Sequence, residues 1–249
     1  MRLNMNGKRV LVTGGTSGVG RALVSALAER GAEVVTCGRG AGTASAGAEA
    51  HRLAADLSVP GEAVRVVRFA AERLGGLDVV VANAGVQHLL DLTGGPDHDL
   101  LTRAEREISV NLRSVVELAA AAWPSLAAAP GPAAFVAVTS GLAYAPKRSA
   151  PVYCATKAGV HVLLQSLRYQ ARSGTPSVRV QEVVLPLVDT PMTAGREGPA
   201  RKISAGAAAL AVVRGIERGR DVVPVGAARA LLPLLYVCPP AARRLLRDG

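Results

Sequence analysis

Short runs of apolar, mostly β-branched residues alternate along the chain with longer segments in which apolar residues recur every three or four positions. The short runs predict buried strands at residues 8–13, 32–37, 51–55, 77–82, 133–139, 178–185 and 221–225. The longer segments predict helices near residues 18–31, 60–74, 99–129, 151–173 and 203–219. Continuous apolar strands separated by helices indicate a parallel sheet with helices on both faces. The pattern therefore predicts an α/β fold, a doubly wound parallel sheet of about seven strands.

The strand–helix alternation runs through the chain without a domain boundary and without any other repeat. Its 249 residues are 49% hydrophobic, which is enough for one well-buried core, and α/β chains of this length are routinely one domain. We therefore expect residues 1–249 to form a single domain. Residues 38–50 lose helical periodicity and predict a flexible connection between the second and third strands.

The composition argues against several classes of protein. A net charge of +10 raises the question of nucleic acid, but aromatics make up only 3% and the basic residues are scattered, so we expect a solvated surface and no nucleic-acid partner. The four histidines show no metal-ligand spacing, so we expect no metal. The three cysteines are far apart, and neither a signal segment nor a membrane-spanning run is present. These features predict a cytoplasmic protein.

A glycine-rich turn follows the first strand directly. It reads T-G-G-T-S-G-V-G from Thr13 to Gly20, with glycines at Gly14, Gly18 and Gly20. Glycines let the backbone turn tightly and approach a phosphate, while a helix N-terminus presents unpaired N–H groups to it. The alternative is a simple strand-to-helix turn, but the strand–turn–helix context favours a nucleotide site.

Arg39 lies where the second strand ends. A dinucleotide without a 2′-phosphate usually meets an acidic residue at this place, whereas Gly38 and Arg39 stand here. A guanidinium pairs with a phosphate through two parallel hydrogen bonds. The position favours NADP(H) over NAD(H), and the alternative is an ordinary surface arginine.

Tyr153 precedes Lys157 by four residues within the predicted helix 151–173, so both side chains lie on one helix face. An ammonium beside a phenol favours the ionised form of the phenol. The pair therefore indicates acid–base chemistry near neutral pH. Tyr144 has no lysine at this spacing and is not expected to share that role.

Five motifs, taken in order, resemble the short-chain dehydrogenase/reductase family over residues 8–226. They are Thr13-Gly14-x-x-x-Gly18-x-Gly20, Asn83-Ala84-Gly85, Asn111, Ser140 and Tyr153-x-x-x-Lys157. The resemblance implies a Rossmann-type domain that transfers hydride between NADP(H) and a carbonyl or secondary alcohol. Residues 1–140 would mainly bind the cofactor, and residues 141–249 would supply the catalytic helix, a substrate lid and a C-terminal interface segment.

The resemblance also implies a role for each catalytic candidate. Tyr153 would act as general acid and base, Lys157 would favour its phenolate and hold the nicotinamide ribose, and Ser140 would orient the carbonyl oxygen. Asn111 would fix a water in the proton relay. Taken singly, Ser140 is also a plausible capping hydroxyl and Asn111 a tolerated polar group inside a helix.

The same resemblance implies the cofactor contacts. Asp56 would accept from the adenine amino group, although a strand-end turn explains it equally well, and Val188 and Thr190 would hold the carboxamide. The complete predicted set is Gly14, Thr16, Ser17, Gly18, Val19, Gly20, Arg39, Asp56, Leu57, Asn83, Ala84, Gly85, Tyr153, Lys157, Val188 and Thr190.

Three departures from the family pattern lie outside the catalytic set. Leu185-Pro186 replaces the usual Pro-Gly, residues 38–50 lack the usual helix, and Asn83 lacks the second asparagine that usually precedes it. A narrower resemblance rests on S-G-L-A-Y-x-P, P-V-Y-C-A-T-K-A, S-L-R and V-D-T-P-M. These runs are similar to oxidoreductases encoded beside genes for D-alanine incorporation into teichoic acid, and to actinobacterial relatives.

The substrate is the least determined part of the prediction. Residues 190–202 predict a lid loop, and five basic residues are candidates for the pocket mouth: Lys147, Arg148, Arg196, Arg201 and Lys202. They suggest an anionic or carrier-bound substrate, and the alternative is a solvated basic rim.

Two other classes of protein remain as alternatives. One is a non-catalytic nucleotide sensor or scaffold, against which the complete Ser-Tyr-Lys-Asn set argues. The other is a membrane-surface protein using residues 230–247, which two prolines interrupt. We expect no membrane binding. Long alanine- and leucine-rich helix faces at 99–129 and 151–173 predict a homodimer or homotetramer.

Overall fold

The computed structural model describes residues 3–40, 50–95, 98–196 and 201–248. In chain order, the strands in these ranges are β1 (Arg9–Thr13), β2 (Glu33–Gly38), β3 (Ala50–Ala54), β4 (Val79–Ala82), β5 (Ala133–Ser140), β6 (Val178–Leu185), β7 (Val188–Asp189), β8 (Ile203–Ser204) and β9 (Val222–Pro224). The α-helices are α1 (Gly18–Ala28), α2 (Glu62–Leu74), α3 (His98–Ile108), α4 (Ser114–Ala127), α5 (Pro151–Gly174), α6 (Ala205–Arg218), α7 (Ala228–Val237) and α8 (Pro239–Arg247).

Seven strands form one parallel sheet in the order β3-β2-β1-β4-β5-β6-β9. The central strand β4 reads V-V-V-A and is buried at every position, as expected for a strand covered on both faces. The strand order reverses between β1 and β4. In sheets of this kind such a reversal leaves a crevice at the carboxyl ends of the strands.

Two layers of helices cover the sheet. On one face, α2, α4 and α5 pack through residues such as Val66, Leu118 and Leu164. On the other face, α1 and α6 pack through residues such as Leu27 and Ile216. The predicted doubly wound parallel sheet is therefore confirmed.

The predicted helix 99–129 is interrupted. A π-helical turn at Ser109–Arg113 separates α3 from α4. Such turns shift the hydrogen-bond pattern by one residue and re-aim side chains. Here the turn carries Ser109, Val110 and Asn111 into the interior, where all three are buried. Amphipathic periodicity alone does not reveal this insertion.

Several predictions concern segments at the margins of the described residues. Residues 41–49 lie outside them, so the predicted flexible connection at 38–50 is described only at its ends. Residues 197–200 of the predicted lid also lie outside.

The prolines near the C-terminus separate α7 from α8 at Cys238, as expected. Among the described helices, none combines the length and apolar character needed to span a membrane.

Candidate active site

A cavity of about 490 Å³ opens at the carboxyl ends of the central strands. All sixteen predicted cofactor residues line it: Gly14, Thr16, Ser17, Gly18, Val19, Gly20, Arg39, Asp56, Leu57, Asn83, Ala84, Gly85, Tyr153, Lys157, Val188 and Thr190. Ser140 lines it as well. Residues far apart in the chain thus converge on the crevice that the strand order creates.

The glycine-rich turn has the geometry of a phosphate cradle. Gly14 and Gly18 have φ values of 70° and 51°, which side chains rarely tolerate. A Cβ at Gly20 would lie 2.1 Å from the Gly14 carbonyl oxygen, and one at Gly15 would lie 2.1 Å from Thr36 Oγ1. Glycine at these positions therefore lets the turn pack tightly against the start of α1, and the turn lines the cavity, an arrangement that fits a pyrophosphate.

The segment after β4 is tied to this turn. The Thr13 hydroxyl accepts hydrogen bonds from the backbone N–H groups of Asn83 (3.0 Å) and Ala84 (3.1 Å). The Asn83 side chain donates to the Thr13 carbonyl at 2.9 Å. The two loops at the strand-order reversal are thereby held in register, which explains why the Asn83-Ala84-Gly85 motif accompanies the glycine turn.

Arg39 stands at the exposed edge of the cavity, directly after β2. A Cβ at the preceding Gly38 would lie 2.6 Å from Thr16 Oγ1, so only glycine lets Thr16 occupy that place. Within the described ranges, no ion pair engages the Arg39 guanidinium. It is positioned to meet an anionic group entering along the end of β2.

Asp56 fits both of its predicted interpretations. Its Oδ1 accepts from the Ser58 backbone N–H (2.9 Å) and the Ser58 hydroxyl (2.7 Å), as in a turn after β3. It also lines the cavity, where its Oδ2 pairs with Arg106 at 3.1 Å. Burial opposes ionisation, but the bonds from Ser58 and Arg106 outweigh it and lower the pKa of Asp56. Sequence reasoning missed Arg106 because no local motif contains it.

Tyr153 and Ser140 meet inside the cavity. Tyr153 is buried, with 9% of its surface exposed, and its phenol forms a hydrogen bond with the Ser140 side chain. Burial raises the pKa of Tyr153 to about 12, although the bond with Ser140 opposes the shift. The Ser140 Oγ also accepts from the Leu142 N–H at 3.2 Å, so the capping interpretation and the contact with Tyr153 hold together.

Lys157 lies on the same face of α5 as Tyr153, as predicted, but its ammonium donates to a backbone carbonyl and not to the Tyr153 phenol. Its Nζ donates to the Val138 carbonyl at 2.9 Å and lies 5.8 Å from the centre of the Tyr153 ring. Burial lowers the pKa of Lys157 to about 8. Burial is the largest cause of the pKa shifts of both Tyr153 and Lys157, and the expectation that this lysine favours the phenolate stays a prediction.

Asn111 lies just behind the cavity wall. Its side chain is fully buried, accepting from the Val86 N–H and donating to the Val86 carbonyl, both at 2.9 Å. A Cβ at Gly85 would lie 3.3 Å from Asn111 Oδ1 and 3.6 Å from Lys157 Nζ, so the asparagine and the lysine are neighbours. The side chain fixes the strand β4 loop, while its predicted role in holding a water remains a prediction.

The segment after β6 closes the far end of the cavity. Val188 is buried in β7, and a Cβ at Gly18 would lie 3.2 Å from Thr190 Cγ2. The glycine turn therefore packs directly against this segment. Leu185 and Pro186, which depart from the family pattern, also line the cavity.

The C-terminal helices form an apolar wall that sequence reasoning assigned elsewhere. The side chains of Leu231, Leu234, Leu245 and Leu246 line the cavity. A Cβ at Gly141 would lie 2.8 Å from Leu231 Cδ2, so α7 packs closely over the turn after Ser140. The apolar run L-L-P-L-L was the available signal, although its spacing does not tell a pocket wall from a subunit contact.

The predicted basic rim divides into two groups. Lys147, Arg196 and Arg201 line the cavity, and Arg196 also donates to the Gln87 side chain and carbonyl. Arg148 instead pairs with Asp248 at 2.8 Å, and Lys202 donates to the Thr193 carbonyl at 2.8 Å. Only the first group is placed to meet a substrate.

Known proteins are similar to this chain over most of its length. A family model described as short chain dehydrogenase matches residues 8–199. The uncharacterized oxidoreductase DltE of Bacillus subtilis (strain 168) is 36% identical over 192 residues, covering 76% of this chain and 74% of that protein. A hydroxysteroid 11-beta-dehydrogenase 1-like protein of Gallus gallus is 32% identical over 226 residues, covering 85% of this chain and 76% of its own.

A solved structure also matches over nearly the whole chain. A short chain dehydrogenase from Burkholderia cenocepacia J2315, in complex with NADP, has a TM-score of 0.84 and 27% sequence identity, covering 99% of this chain and 100% of that one. The fold and the glycine-lined crevice define an α/β protein of the Rossmann class. The chain belongs to the short-chain dehydrogenase family and is an oxidoreductase of that family. The match to DltE confirms the narrower resemblance.

Proposed function

We propose that the protein is an NADP(H)-dependent oxidoreductase that interconverts a carbonyl and a secondary alcohol. The observation that carries the proposal is the meeting of Tyr153, Ser140 and Lys157 in the cavity whose other end is the glycine cradle. A nucleotide site joined to a buried proton donor is what hydride transfer to a carbonyl requires.

Each residue of the site has a separate role in the proposed reaction. NADPH, when bound, supplies the hydride that reduces the carbonyl carbon. Tyr153 gives its proton to the carbonyl oxygen, because its raised pKa keeps it protonated at neutral pH. The Ser140 hydroxyl orients that oxygen and the buried Lys157 ammonium supports the phenolate left behind. In the reverse direction the phenolate takes the proton of the alcohol.

The preference for NADP(H) rests on Arg39. Its guanidinium stands where a 2′-phosphate would lie beyond the end of β2, and no aspartate or glutamate replaces it there. The NADP complex of the Burkholderia relative supports the same cofactor. Asp56, Leu57 and Asn83 would line the adenosine, and Val188 and Thr190 the carboxamide.

The substrate class we propose is an apolar carbonyl compound or the corresponding alcohol. Four leucines of α7 and α8 face the cavity together with Leu142 and Met192. Apolar walls favour an apolar substrate body, since burying such surface contributes about 25 cal/mol per Å². Arg196 and Arg201 stand at the same cavity and would accept an acidic group at one end.

A nucleotide sensor is the second candidate, and no observation of the site favours it. We also propose a reducing, cytoplasmic setting, since Cys37, Cys154 and Cys238 are free thiols. The catalytic role and the cofactor preference are the claims to test first.

The test is a fluorescence titration with NADPH and NADH, followed by NADPH oxidation with a series of apolar ketones. We expect at least about tenfold tighter binding of NADPH, and an inverted preference in Arg39→Asp, because the carboxylate repels the 2′-phosphate. Tyr153→Phe should lose about 10²- to 10⁴-fold in kcat because no group remains to supply the proton.

The matched control is Tyr169→Phe, which changes a tyrosine of the same helix that is 67% exposed and should leave kcat unchanged. Full ketone reduction by Tyr153→Phe would refute the catalytic assignment. Binding of neither cofactor would refute the oxidoreductase proposal itself and favour a scaffold on this fold.

A further inference from the structure

A buried carboxylate lies beneath the candidate active site without lining its cavity. Glu182 is in the middle of β6 and is fully buried. Its Oε1 accepts from the Thr139 hydroxyl at 2.7 Å, and its Oε2 lies 2.8 Å from His161 Nδ1. The Tyr144 hydroxyl also bonds to this carboxylate and lies 3.0 Å from His161 Nδ1.

This carboxylate is held in its charged form. Burial opposes ionisation, but bonds from His161 and Thr139 outweigh it and lower the pKa of Glu182. Burying a charge is costly unless hydrogen bonds satisfy it, so each of the three donors is needed. The rings of Tyr144 and His161 also pack together, with centres 4.6 Å apart, which restricts both side chains.

The three donors come from places that matter for the proposed chemistry. Thr139 immediately precedes Ser140, and Tyr144 ends the 3₁₀ turn Gly141–Ala143 that follows it. His161 lies on α5, one helical turn beyond Lys157. The Glu182 carboxylate is therefore bonded to residues on both sides of the turn that contains Ser140, namely Thr139 and Tyr144. Through His161 it is also bonded to α5, the helix that carries Tyr153.

We propose that Glu182 is a positioning residue that fixes the Ser140 turn relative to Tyr153 and Lys157. The proposal rests on the proposed function of that site. Glu182 and His161 do not line the cavity; Thr139 does, but its hydroxyl is directed to Glu182 and the Val183 carbonyl, so we argue that the network acts through the position of Ser140. Tyr144 thereby acquires a role distinct from that of Tyr153.

Small shifts of a positioned group have large kinetic effects. A displacement of about 1 Å at a reacting centre lowers rates by about 10²-fold. Loss of one charge-assisted bond loosens the turn without removing any catalytic group. The chemical step should slow, while cofactor binding at the glycine cradle should not change.

The experiment compares Glu182→Gln and Thr139→Val with Gln165→Ala in the full-length protein. Gln165 is the matched control because its Nε2 lies 2.9 Å from His161 Nε2, away from the carboxylate. In the first two variants we expect kcat for ketone reduction to fall about tenfold, an unchanged Kd for NADPH and a larger primary deuterium isotope effect. Gln165→Ala should match the wild type.

Two further measurements separate positioning from general destabilisation. Adding Glu182→Gln to Ser140→Ala should cause no further loss, because the serine is already gone, whereas an additive loss would overturn the proposal. Hydrogen exchange of residues 140–144 in the free protein should quicken in Glu182→Gln and Thr139→Val but not in Gln165→Ala.

The exchange measurement does not depend on activity. If the wild type reduces no carbonyl, the proposed function fails, and faster exchange still shows that Glu182 holds the turn. Unchanged exchange in both Glu182→Gln and Thr139→Val would overturn the positioning role even in an active enzyme. Thr139→Val replaces one buried group with another of similar shape, so it keeps the test decisive if Glu182→Gln does not fold.

Discussion

At the scale of single residues, burial decides the chemistry of the catalytic pair. Tyr153 and Lys157 are four residues apart, and the cavity removes both from water and moves their pKa values apart, to about 12 and about 8. In both cases burial is the largest cause, because it disfavours the charged form. At neutral pH the native state therefore contains a buried, charged lysine, which lowers the free energy of unfolding.

Replacing Lys157 by methionine should raise stability and abolish activity. Its pKa is lowered from 10.5 to about 8, so at pH 7 the native state holds a charge that burial disfavours. At about 1.4 kcal/mol per pKa unit, removal of this charge should stabilise the fold by roughly 3–4 kcal/mol at pH 7, reduced by the lost hydrogen bond to the Val138 carbonyl. Urea unfolding measures this.

The lowered pKa of Lys157 makes the stability of the protein depend on pH. Between about pH 8 and 10.5 the unfolded chain binds the proton and the native state does not, so wild-type stability rises with pH there. The advantage of Lys157→Met should therefore be full below pH 8 and disappear toward pH 10.5. A constant advantage over that range would show that the lysine is not desolvated as described.

At the scale of elements, the turn between β1 and α1 determines whether the cofactor site exists. Gly14 and Gly18 supply positive φ values, and Gly20 allows α1 to start against the Gly14 carbonyl. The turn is also bound to the loop after β4 through Thr13. A change at one glycine therefore affects two loops.

Gly20→Ala should weaken NADPH binding by at least about tenfold and lower Tm by several degrees. Its Cβ would lie 2.1 Å from a backbone oxygen, so the turn or α1 must move. The control is Gly206→Ala near the start of α6, where nothing lies within 4 Å of the added Cβ and alanine favours the helix. Cofactor titration and thermal melts of both variants check this, and equal behaviour would contradict the cradle.

At the scale of the whole molecule, one face of the helical layer carries apolar side chains with no partner in the described chain. Val162 and Tyr169 on α5 are 58% and 67% exposed. Leu101 and Ile108 on α3 and Val116 on α4 are also exposed. Exposed apolar residues on neighbouring helices are typical of an association surface. This exposure supports the homodimer or homotetramer predicted from the alanine- and leucine-rich helix faces, which stays a prediction.

Val162→Glu should lower the molecular mass in solution, measured by light scattering coupled to size exclusion, because a charge at a subunit contact is desolvated without a partner. Val64→Glu makes the same substitution on α2, where the valine is 46% exposed, and should leave the mass unchanged. A monomeric wild type would refute the proposed oligomer. A multimer unaffected by Val162→Glu would place the contact elsewhere.

Most of the fold, and the convergence of the candidate residues on one cavity, was predictable because both depend largely on local sequence. Buried parallel strands are continuous apolar runs, and all seven predicted strands appear in the sheet. The glycine turn, Arg39 and the Tyr153–Lys157 pair each depend on neighbours within a few residues. Such features can be recognised in a sequence because backbone geometry and helix periodicity do not depend on contacts with distant residues.

The remainder depends on contacts between distant residues. No sequence pattern marks the π turn at Ser109–Arg113. Arg106 on α3 pairs with Asp56 only because tertiary packing brings α3 close to the segment after β3. The leucine wall of α7 and α8 required the helices to fold back over the Ser140 turn. In each case tertiary packing decided where a side chain or a helix points, which hydrophobic periodicity does not determine.

By itself, the sequence determined the doubly wound sheet, the location of the nucleotide crevice and the set of groups available for chemistry, since these follow from local periodicity and short motifs. Only the tertiary structure decided the raised pKa of Tyr153, the contact of Lys157 with Val138 and the burial of Glu182 beneath Ser140. The physical reason is that desolvation and charge-assisted hydrogen bonds depend on which distant side chains exclude water from a group, and that is a property of the packed molecule.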